Sequence, residues 1–232
     1  MPSVDTLKQS LIDAGRILAD EGQGDLIFGH VSARLPDDAE HFLMKPHQVG
    51  LEEITADNLI TVNLEGEKVA GDAPRHIEVF IHSEILRVRP DITALVHTHA
   101  PNAVAFSALG RPLQGVGHEG ALFHAGVPVF SETADLIIDQ ARGKTVARAM
   151  ADSDVLIMRN HGIVTAGRNI EEATVLAVFL ERACQAQLAV EACGGAKHLC
   201  SHDDAVAKTG RIMPQRGKVF EYLVRRNAAG DA

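Results

Sequence analysis

Apolar positions recur with a helical period in three stretches of the chain. Residues 4–21 and residues 76–88 place apolar side chains three or four positions apart, which predicts two amphipathic helices. A third helix is predicted to follow Asn169, a capping residue type with Glu172 three positions on, and to stop before Gly194. The helical period predicts that each of these helices packs one face against a core.

Between the helices, shorter runs are rich in residues that favour strands. Residues 59–64 and residues 93–99 each predict one strand, and residues 154–166 predict two strands that meet at His161. Pro128 interrupts another apolar run, which is typical of an edge strand. Strands that alternate with helices predict an α/β or α+β fold.

The chain shows no internal repeat, low-complexity tract or linker-like segment. We therefore expect one domain over residues 1–232, in which residues 196–232 form a C-terminal extension that the pattern does not assign to any element. Glu181 and Arg182 are neighbours on the third predicted helix, so they do not face each other, and both are expected to be solvated.

Composition narrows the range of partners. A formal charge of −9 argues against nucleic acid, which is bound through clustered Lys and Arg. No stretch of about eighteen apolar residues and no signal-peptide layout at the start of the chain are present, so no membrane partner and a cytoplasmic location are expected. Three cysteines are expected to stay reduced there. Twelve histidines beside no Trp and one Tyr suggest metal or proton chemistry.

The first candidate site is His97-Thr98-His99 in the predicted strand of residues 93–99. Side chains two positions apart on a strand point to the same face, so two imidazoles would project together toward one metal ion. Ala94 and Val96 would cover the opposite face. A surface histidine pair or a satisfied core histidine is the alternative interpretation of this pattern.

His161 and Glu78 are the other candidate ligands. His161 lies between Asn160 and Gly162, where glycine permits a tight turn or a close backbone approach, although a turn histidine without a function would look the same. Glu78 lies on the predicted helix of residues 76–88, where a solvated carboxylate is the alternative. Three imidazoles and one carboxylate would suit Zn²⁺ or a neighbouring metal such as Mn, Fe or Co.

Taken in order, these motifs resemble the class II aldolase/adducin family. The resemblance spans about residues 5–194 and rests on the segment of residues 29–34, on Glu78, on His97-Thr98-His99-Ala100 and on Asn160-His161-Gly162. It implies a three-layer α/β/α fold around a largely antiparallel sheet, and a divalent metal held by Glu78, His97, His99 and His161. It also implies a homotetramer with sites at subunit interfaces.

Departures from the aldolases of that family bear on the substrate. Those enzymes hold a phosphate with small and hydroxylated residues, whereas here His30 follows Gly29, and Arg75-His76 precede Glu78. Arg and His suit a carboxylate, which an Arg fork grips through two hydrogen bonds, although phosphate is not excluded. We therefore expect His30, Ser32, Arg75 and His76 to bind substrate; surface roles for Arg75 and His76 are the alternative.

A second departure concerns the proton donor. The aldolases carry a Tyr acid about nineteen residues after the second metal histidine, and that count leads here to His118, for which a loop histidine without a role is the alternative. An imidazole transfers protons near neutral pH. The family also contains decarboxylases of hydroxylated aromatic or pyridine carboxylic acids, which the chain resembles more than it does the aldolases.

The resemblance therefore implies a carbon–carbon lyase, most simply a decarboxylase of a hydroxylated aromatic or heteroaromatic carboxylate in aromatic compound catabolism. His118 or a water would protonate the ring carbon, and Glu78 would serve as ligand, base or both. Two alternatives stay open. One is an aldolase or epimerase acting on a sugar phosphate, and the other is a binding module without catalysis, as in adducin.

Overall fold

Eight strands form one sheet in the computed structural model, which describes residues 3–230. The strands are β1 (His30–Leu35), β2 (Asp38–Met44), β3 (Ile60–Asn63), β4 (Lys68–Ala70), β5 (Ala94–Thr98), β6 (Val129–Phe130), β7 (Val155–Met158) and β8 (Gly162–Gly167). Their order across the sheet is β4-β3-β2-β1-β5-β8-β7-β6. Every described strand pair is antiparallel except β6 with β7, so the predicted largely antiparallel sheet is confirmed.

Helices cover both faces of the sheet. They are α1 (Val4–Leu18), α2 (Val79–Val88), α3 (Pro101–Ser107), α4 (Gly117–Gly120), α5 (Gln140–Met150), α6 (Ile170–Ala192), α7 (His202–Ile212) and α8 (Arg216–Gly230). The predicted cap is confirmed at α6, where the Asn169 side chain accepts a hydrogen bond from the Glu172 amide. The predicted edge strand near Pro128 is also confirmed, because β6 ends the sheet.

Two hydrophobic cores, one on each face, give the three layers. Along β1 and β5, Val31, Ala94 and Val96 point into the core shared with α1 and α6, while Leu95 points into the core shared with α2 and α5. Alternate residues of a strand face opposite sides of the sheet, so His97 shares the α2 side with Leu95. The polar site is therefore built on the α2 face.

Helix α6 runs through the first core. It is long and apolar enough to cross a membrane by length and composition, but 67% of its most apolar window is buried inside the protein, as in the core helix of a globular fold.

The expectation that Glu181 is solvated is wrong. Its carboxylate is buried and accepts hydrogen bonds from the backbone amides of Asn102 and Ala103, which start α3. Arg182 instead pairs with Glu21.

The unassigned extension after residue 196 folds as the two helices α7 and α8. Phe220 and Leu223 of α8 are buried in the core beneath α1 and α6, and Arg226 pairs with Asp20 and Glu21. These helices carry mixed polar faces, which is why the pattern alone did not reveal them. Of the residues in the predicted domain, Met1, Pro2, Asp231 and Ala232 lie outside those that the structure describes.

Candidate metal centre and adjoining histidine pocket

Strand pairing brings together histidines that lie far apart in the sequence. In the antiparallel ladder of β1 and β5, His30 is the partner of His97, and their ring centroids are 4.8 Å apart. β5 ends at Thr98, one residue earlier than predicted, yet the His99 ring still lies 5.3 Å from that of His97. The predicted pair is therefore close together, although only His97 belongs to the strand.

The hairpin between β7 and β8 supplies His161. Asn160 has a φ of +55°, a left-handed conformation that Asn tolerates, and the His161 amide donates to the Met158 carbonyl to close the turn. Gly162 then passes so close to β5 that a Cβ there would lie 2.4 Å from the Thr98 carbonyl oxygen and 3.2 Å from ring atoms of both His97 and His99. Glycine is required because the backbone must approach the two rings.

Glu78 occupies the residue before α2 and is almost fully buried. One of its oxygens, Oε1, accepts a hydrogen bond of 2.8 Å from the Ile137 amide and lies 3.5 Å from Nε2 of His161. The alternative of a solvated helix carboxylate is wrong, because the start of α2 is packed under the segment before α5. Burial of a carboxylate beside imidazoles is typical of a functional site.

Glu78, His97, His99 and His161 each offer one ligand atom, and these atoms all lie within 4.8 Å of one another. The Nε2 atoms of all three imidazoles are buried and have no hydrogen-bond partner in the described part of the chain. Buried polar atoms are normally satisfied, so the three unpartnered nitrogens fit a divalent cation between them. The four residues predicted as a ligand set are therefore brought together as a group that could hold one.

In His97 and His99, a hydrogen bond at Nδ1 fixes the orientation of the ring and therefore of the lone pair on Nε2. Nδ1 of His97 donates to the Ile163 carbonyl at 2.9 Å, and Nδ1 of His99 donates to the Asp25 carboxylate at 2.8 Å. A neutral imidazole with its proton on Nδ1 carries its lone pair on Nε2, which is the form that binds a metal. Sequence reasoning missed Asp25, which lies in an irregular loop where no spacing rule connects it to His99.

A second group of buried side chains, His30, His76 and Glu78, adjoins the first. The rings of His30 and His76 have centroids 4.1 Å apart, and Nε2 of each is buried without a partner among the described residues. His76 accepts a hydrogen bond from the Glu78 amide through Nδ1. Burial is the main cause that lowers the pKa of His30 well below its usual value and that of His76 to about 3.

Behind His30 lies a residue that sequence reasoning missed. His82 of α2 is fully buried, with Nε2 2.6 Å from Nδ1 of His30 and Nδ1 2.6 Å from the Ser32 hydroxyl. Burial lowers the pKa of His82 to about 3. It follows Glu78 by four residues, the spacing of neighbours on a predicted helix, and this is the only signal that the sequence offered.

Positive charge lies beside this histidine pocket. Lys45 is fully buried, its ammonium donates to the carbonyls of Ile27 and Pro46, and burial lowers its pKa to about 8. The Lys45 charge also contributes to the lowered pKa values of His30 and His76. Arg75 is half-buried, donates to the His76 carbonyl and lies over the Phe80 ring.

His118 is placed differently. It is exposed on the four-residue helix α4, and within residues 3–230 no hydrogen bond or ring contact connects it with the two histidine groups. The predicted role of His118 as proton donor therefore stays a prediction. Of the predicted substrate residues, His30 and His76 have neighbouring rings, Arg75 lies beside His76, and the Ser32 hydroxyl lies behind them against His82. We call His30, His76 and Glu78 the histidine pocket; substrate binding there stays a prediction.

A three-layer fold around a largely antiparallel sheet, with three histidines and a glutamate on one face, defines the class of protein. Residues 9–188 match the class II aldolase and adducin N-terminal domain family, and the chain belongs to it. The solved structures agree. An aldolase II superfamily protein from Pseudomonas syringae is 27% identical with a TM-score of 0.89, and covers 99% of this chain and 95% of its own. L-fuculose 1-phosphate aldolase from Glaciozyma antarctica PI12 is 28% identical with a TM-score of 0.82, and the match covers 98% of this chain and 94% of its own.

Curated relatives fall into several functional groups. 3,4-Dihydroxyphthalate decarboxylase of Arthrobacter keyseri is 31% identical over 82% of this chain and 80% of its own. The meiotically up-regulated gene 14 protein of Schizosaccharomyces pombe is 30% identical over 80% of this chain and 74% of its own. Alpha-adducin of Rattus norvegicus is 31% identical over 75% of this chain but only 24% of its own length. The family therefore fixes the fold, while its members differ in activity.

Proposed function

We propose that the protein is a metal-dependent carbon–carbon lyase that decarboxylates a hydroxylated aromatic or heteroaromatic carboxylate. The observation that carries the proposal is the position of the histidine pocket. It shares Glu78 with the four-residue metal group and is flanked by the buried charge of Lys45. A substrate with phenolic oxygens at one end and a carboxylate at the other matches the two halves of this site.

In this proposal Glu78, His97, His99 and His161 hold Zn²⁺, or Mn, Fe or Co in its place. Such a metal, when bound, stabilises the negative charge that develops on the substrate oxygen as the carbon–carbon bond breaks. Glu78, His97 and His161 are buried, which limits the access of water, and burial lowers the pKa of His97 well below its usual value. Glu78 is held by the Ile137 amide, which leaves its second oxygen for a ligand or a base role.

The chain's own residues would do the rest of the chemistry. His30 and His76 orient the carboxylate, with Ser32 behind His30 and Arg75 at the side of the pocket. When CO₂ leaves, the electron pair of the broken bond stays on the ring and its oxygen, and the ring carbon then takes a proton. His118 or a water supplies that proton in this proposal.

The relative from Arthrobacter keyseri that decarboxylates dihydroxyphthalate supports this assignment. One observation favours an aldolase instead: the structural similarity to L-fuculose 1-phosphate aldolase extends over nearly the whole of both chains. Retro-aldol cleavage also leaves an electron pair beside an oxygen, so the same metal group would serve it. The two candidates differ in the anion that the pocket receives, a carboxylate or a phosphate.

Product analysis separates these candidates. Protein loaded with Zn²⁺ or Mn²⁺ is incubated with dihydroxybenzoates, hydroxypyridine carboxylates and phosphorylated ketoses, and CO₂ and aldehyde are followed separately. We expect CO₂ from at least one phenolic or pyridine acid. Aldehyde from a phosphorylated ketose, without CO₂ from any of the acids, would overturn the decarboxylase proposal. The His161→Ala variant is the matched control, because background decarboxylation would persist in it.

A non-catalytic module, as the adducin relative suggests, is tested by metal analysis. We expect the purified protein to contain about one equivalent of Zn, Mn, Fe or Co per chain, or to take it up after chelator treatment. Protein that neither contains nor binds these metals would favour the module. We also propose that the protein is a cytoplasmic homotetramer with its sites at subunit interfaces. A mass measurement in solution tests the number of subunits.

A further inference from the structure

The two histidine groups differ in what their free nitrogens present to a ligand. At His97 and His99 the Nδ1 proton is engaged by Ile163 and Asp25, so Nε2 carries a lone pair that suits a cation. At His76 the situation is reversed. Its Nδ1 accepts from the Glu78 amide, so the proton of the neutral ring is on Nε2, which is a free buried donor. A metal ligand would need the opposite tautomer.

His30 has the tautomer that its neighbours impose. Ser32 is fully buried, and its hydroxyl, which lies 2.6 Å from Nδ1 of His82, has no other hydrogen-bond partner among the described residues. A buried hydroxyl needs an acceptor for its proton, and Nδ1 of His82 is the one within reach. If Ser32 donates, Nδ1 of His82 is the acceptor and Nε2 of His82 carries the proton. That N–H then donates to Nδ1 of His30 at 2.6 Å, which leaves the His30 proton on Nε2.

We propose that Ser32 and His82 form a buried relay that holds the His30 proton on Nε2, so that His30 and His76 present two N–H donors to a substrate carboxylate. His82 is thus a positioning residue that touches no substrate. The inference deepens the proposed function, on which its substrate class rests. With the proton on Nε2 these two rings offer no lone pair there, so we expect no second metal ion in this group, although its ligand atoms also lie within 4.8 Å of one another.

Three observations support a carboxylate as the occupant. Both donor nitrogens are fully buried and have no partner in the part of the chain that is described, so an acceptor must satisfy them. The two rings lie side by side, with centroids 4.1 Å apart, so one small anion would contact both. The Lys45 ammonium adds positive charge without occupying the pocket, because it is tied to backbone carbonyls.

Solid-state NMR tests the relay without any substrate. In protein labelled with ¹⁵N at histidine and kept metal-free, the ring nitrogen shifts show which atom carries the proton, and a His30→Gln variant assigns the His30 signals. We expect His30 and His76 to carry the proton on Nε2. A proton on Nδ1 of His30 would overturn the relay, whatever reaction the protein catalyses. The Ser32→Ala variant should give a mixture of both His30 tautomers, and an unchanged Nε2–H form there would overturn it as well.

A binding measurement tests the ligand class. Zn²⁺-loaded protein is titrated with 3,4-dihydroxybenzoate and with catechol, which has the same ring oxygens without the carboxylate. In His82→Gln we expect binding of the benzoate to weaken about ten- to a hundredfold, since hydrogen bonds to a charged group are lost, while catechol binding and metal content stay unchanged. His41→Gln, at a half-buried position on β2, is the matched control.

Equal weakening of both ligands would overturn the positioning role of His82 and indicate general damage to the site. If His82→Gln does not fold, Ser32→Ala removes only one hydroxyl from the relay and is titrated in the same way. If the wild-type protein binds neither ligand, the substrate class of the proposed function fails, while the NMR result still decides the relay.

Discussion

His30 and His97 are partners across neighbouring antiparallel strands, and their ring centroids are 4.8 Å apart. Nε2 of His97 carries a lone pair, because its other nitrogen donates to the Ile163 carbonyl. Nε2 of His30 carries a proton in the relay that we propose with Ser32 and His82. The spacing of two neighbouring strands thus separates a nitrogen suited to a cation from one suited to an anion, so metal and carboxylate would bind side by side.

The close approach at Gly162 makes a first prediction. In Gly162→Ala the new Cβ would lie 2.4 Å from the Thr98 carbonyl oxygen and 3.2 Å from the rings of His97 and His99, so backbone and rings must shift. We expect a loss of about 1–3 kcal/mol in the free energy of unfolding and a marked loss of metal affinity. Urea unfolding and competition with a chelator measure the two effects.

The control for this variant is Gly210→Ala. Gly210 lies in α7, and a Cβ there would meet nothing within 4 Å. Alanine in a helix interior is favoured over glycine, so this variant should gain roughly 0.5–1 kcal/mol and keep its metal. A Gly162→Ala protein with wild-type stability and metal affinity would contradict the required close approach.

A second prediction concerns Asp25, whose carboxylate accepts the Nδ1 proton of His99. Asp25→Asn keeps the size of the side chain but removes the charge that orients the ring and raises its basicity. We expect metal affinity to fall about ten- to a hundredfold, with little change in stability, because Asp25 is partly exposed. Competition with a chelator measures the affinity, and Asp37→Asn in an exposed turn is the control. Equal affinity in both variants would show that Asp25 has no such role.

Local patterns predicted most of the fold. The helix before Gly22, the strand that leads to His99 and the cap at Asn169 each follow from period or capping chemistry that acts over a few residues. Part of the candidate metal group could also be predicted locally, because His97 and His99 are two positions apart in a predicted strand. The distant members Glu78 and His161 required the family resemblance, since nothing local shows that they converge on the same point.

The residues that were missed depend on tertiary contact. His82 looks like any polar residue of an amphipathic helix until α2 packs on β1 and buries it against Ser32. Asp25 lies in a loop without a period. Glu181 was expected in solvent because helix neighbours predict only local pairing, whereas its partners are amides of α3, far away in the sequence. Such contacts are set by how elements pack, which no window of sequence contains.

A third prediction follows from burial of His82, which lowers the pKa of this ring to about 3 in the folded protein. The unfolded chain binds the proton near the ordinary pKa of 6.5, so it takes up more protons than the folded state between pH 6.5 and 3. The stabilisation from the neutral ring is complete above pH 6.5 and is lost as the pH falls. Between pH 7 and pH 5 we expect His82 to contribute a loss of about 2 kcal/mol.

The measurement is urea unfolding of metal-free protein at pH 7 and pH 5. Other buried histidines add to the slope in the wild type, so the comparison is with His82→Gln, which should lose about 2 kcal/mol less over the same interval. Absolute stability differs between the two proteins, and only the change with pH is compared. The same pH dependence in both would contradict a buried neutral His82.

The fourth prediction concerns the division of roles between His161 and His118. His161 is buried in the metal group, so His161→Ala should abolish both turnover and metal retention. His118 is exposed on α4, so His118→Ala should slow turnover but leave metal content and stability unchanged. Metal analysis and turnover of the purified variants measure this. Loss of metal in His118→Ala would contradict its assignment as proton donor.

Since no hydrogen bond or ring contact among the described residues joins His118 to the candidate metal ligands of its own chain, we expect it to serve a neighbouring subunit. Mixing His161→Ala and His118→Ala subunits after mild dissociation then restores sites that combine an intact metal group from one chain with an intact His118 from another. With random assembly about a quarter of the sites are of this kind, so about a quarter of the wild-type activity should return. Activity no higher than that of the unmixed variants would place His118 in the site of its own chain or outside the reaction.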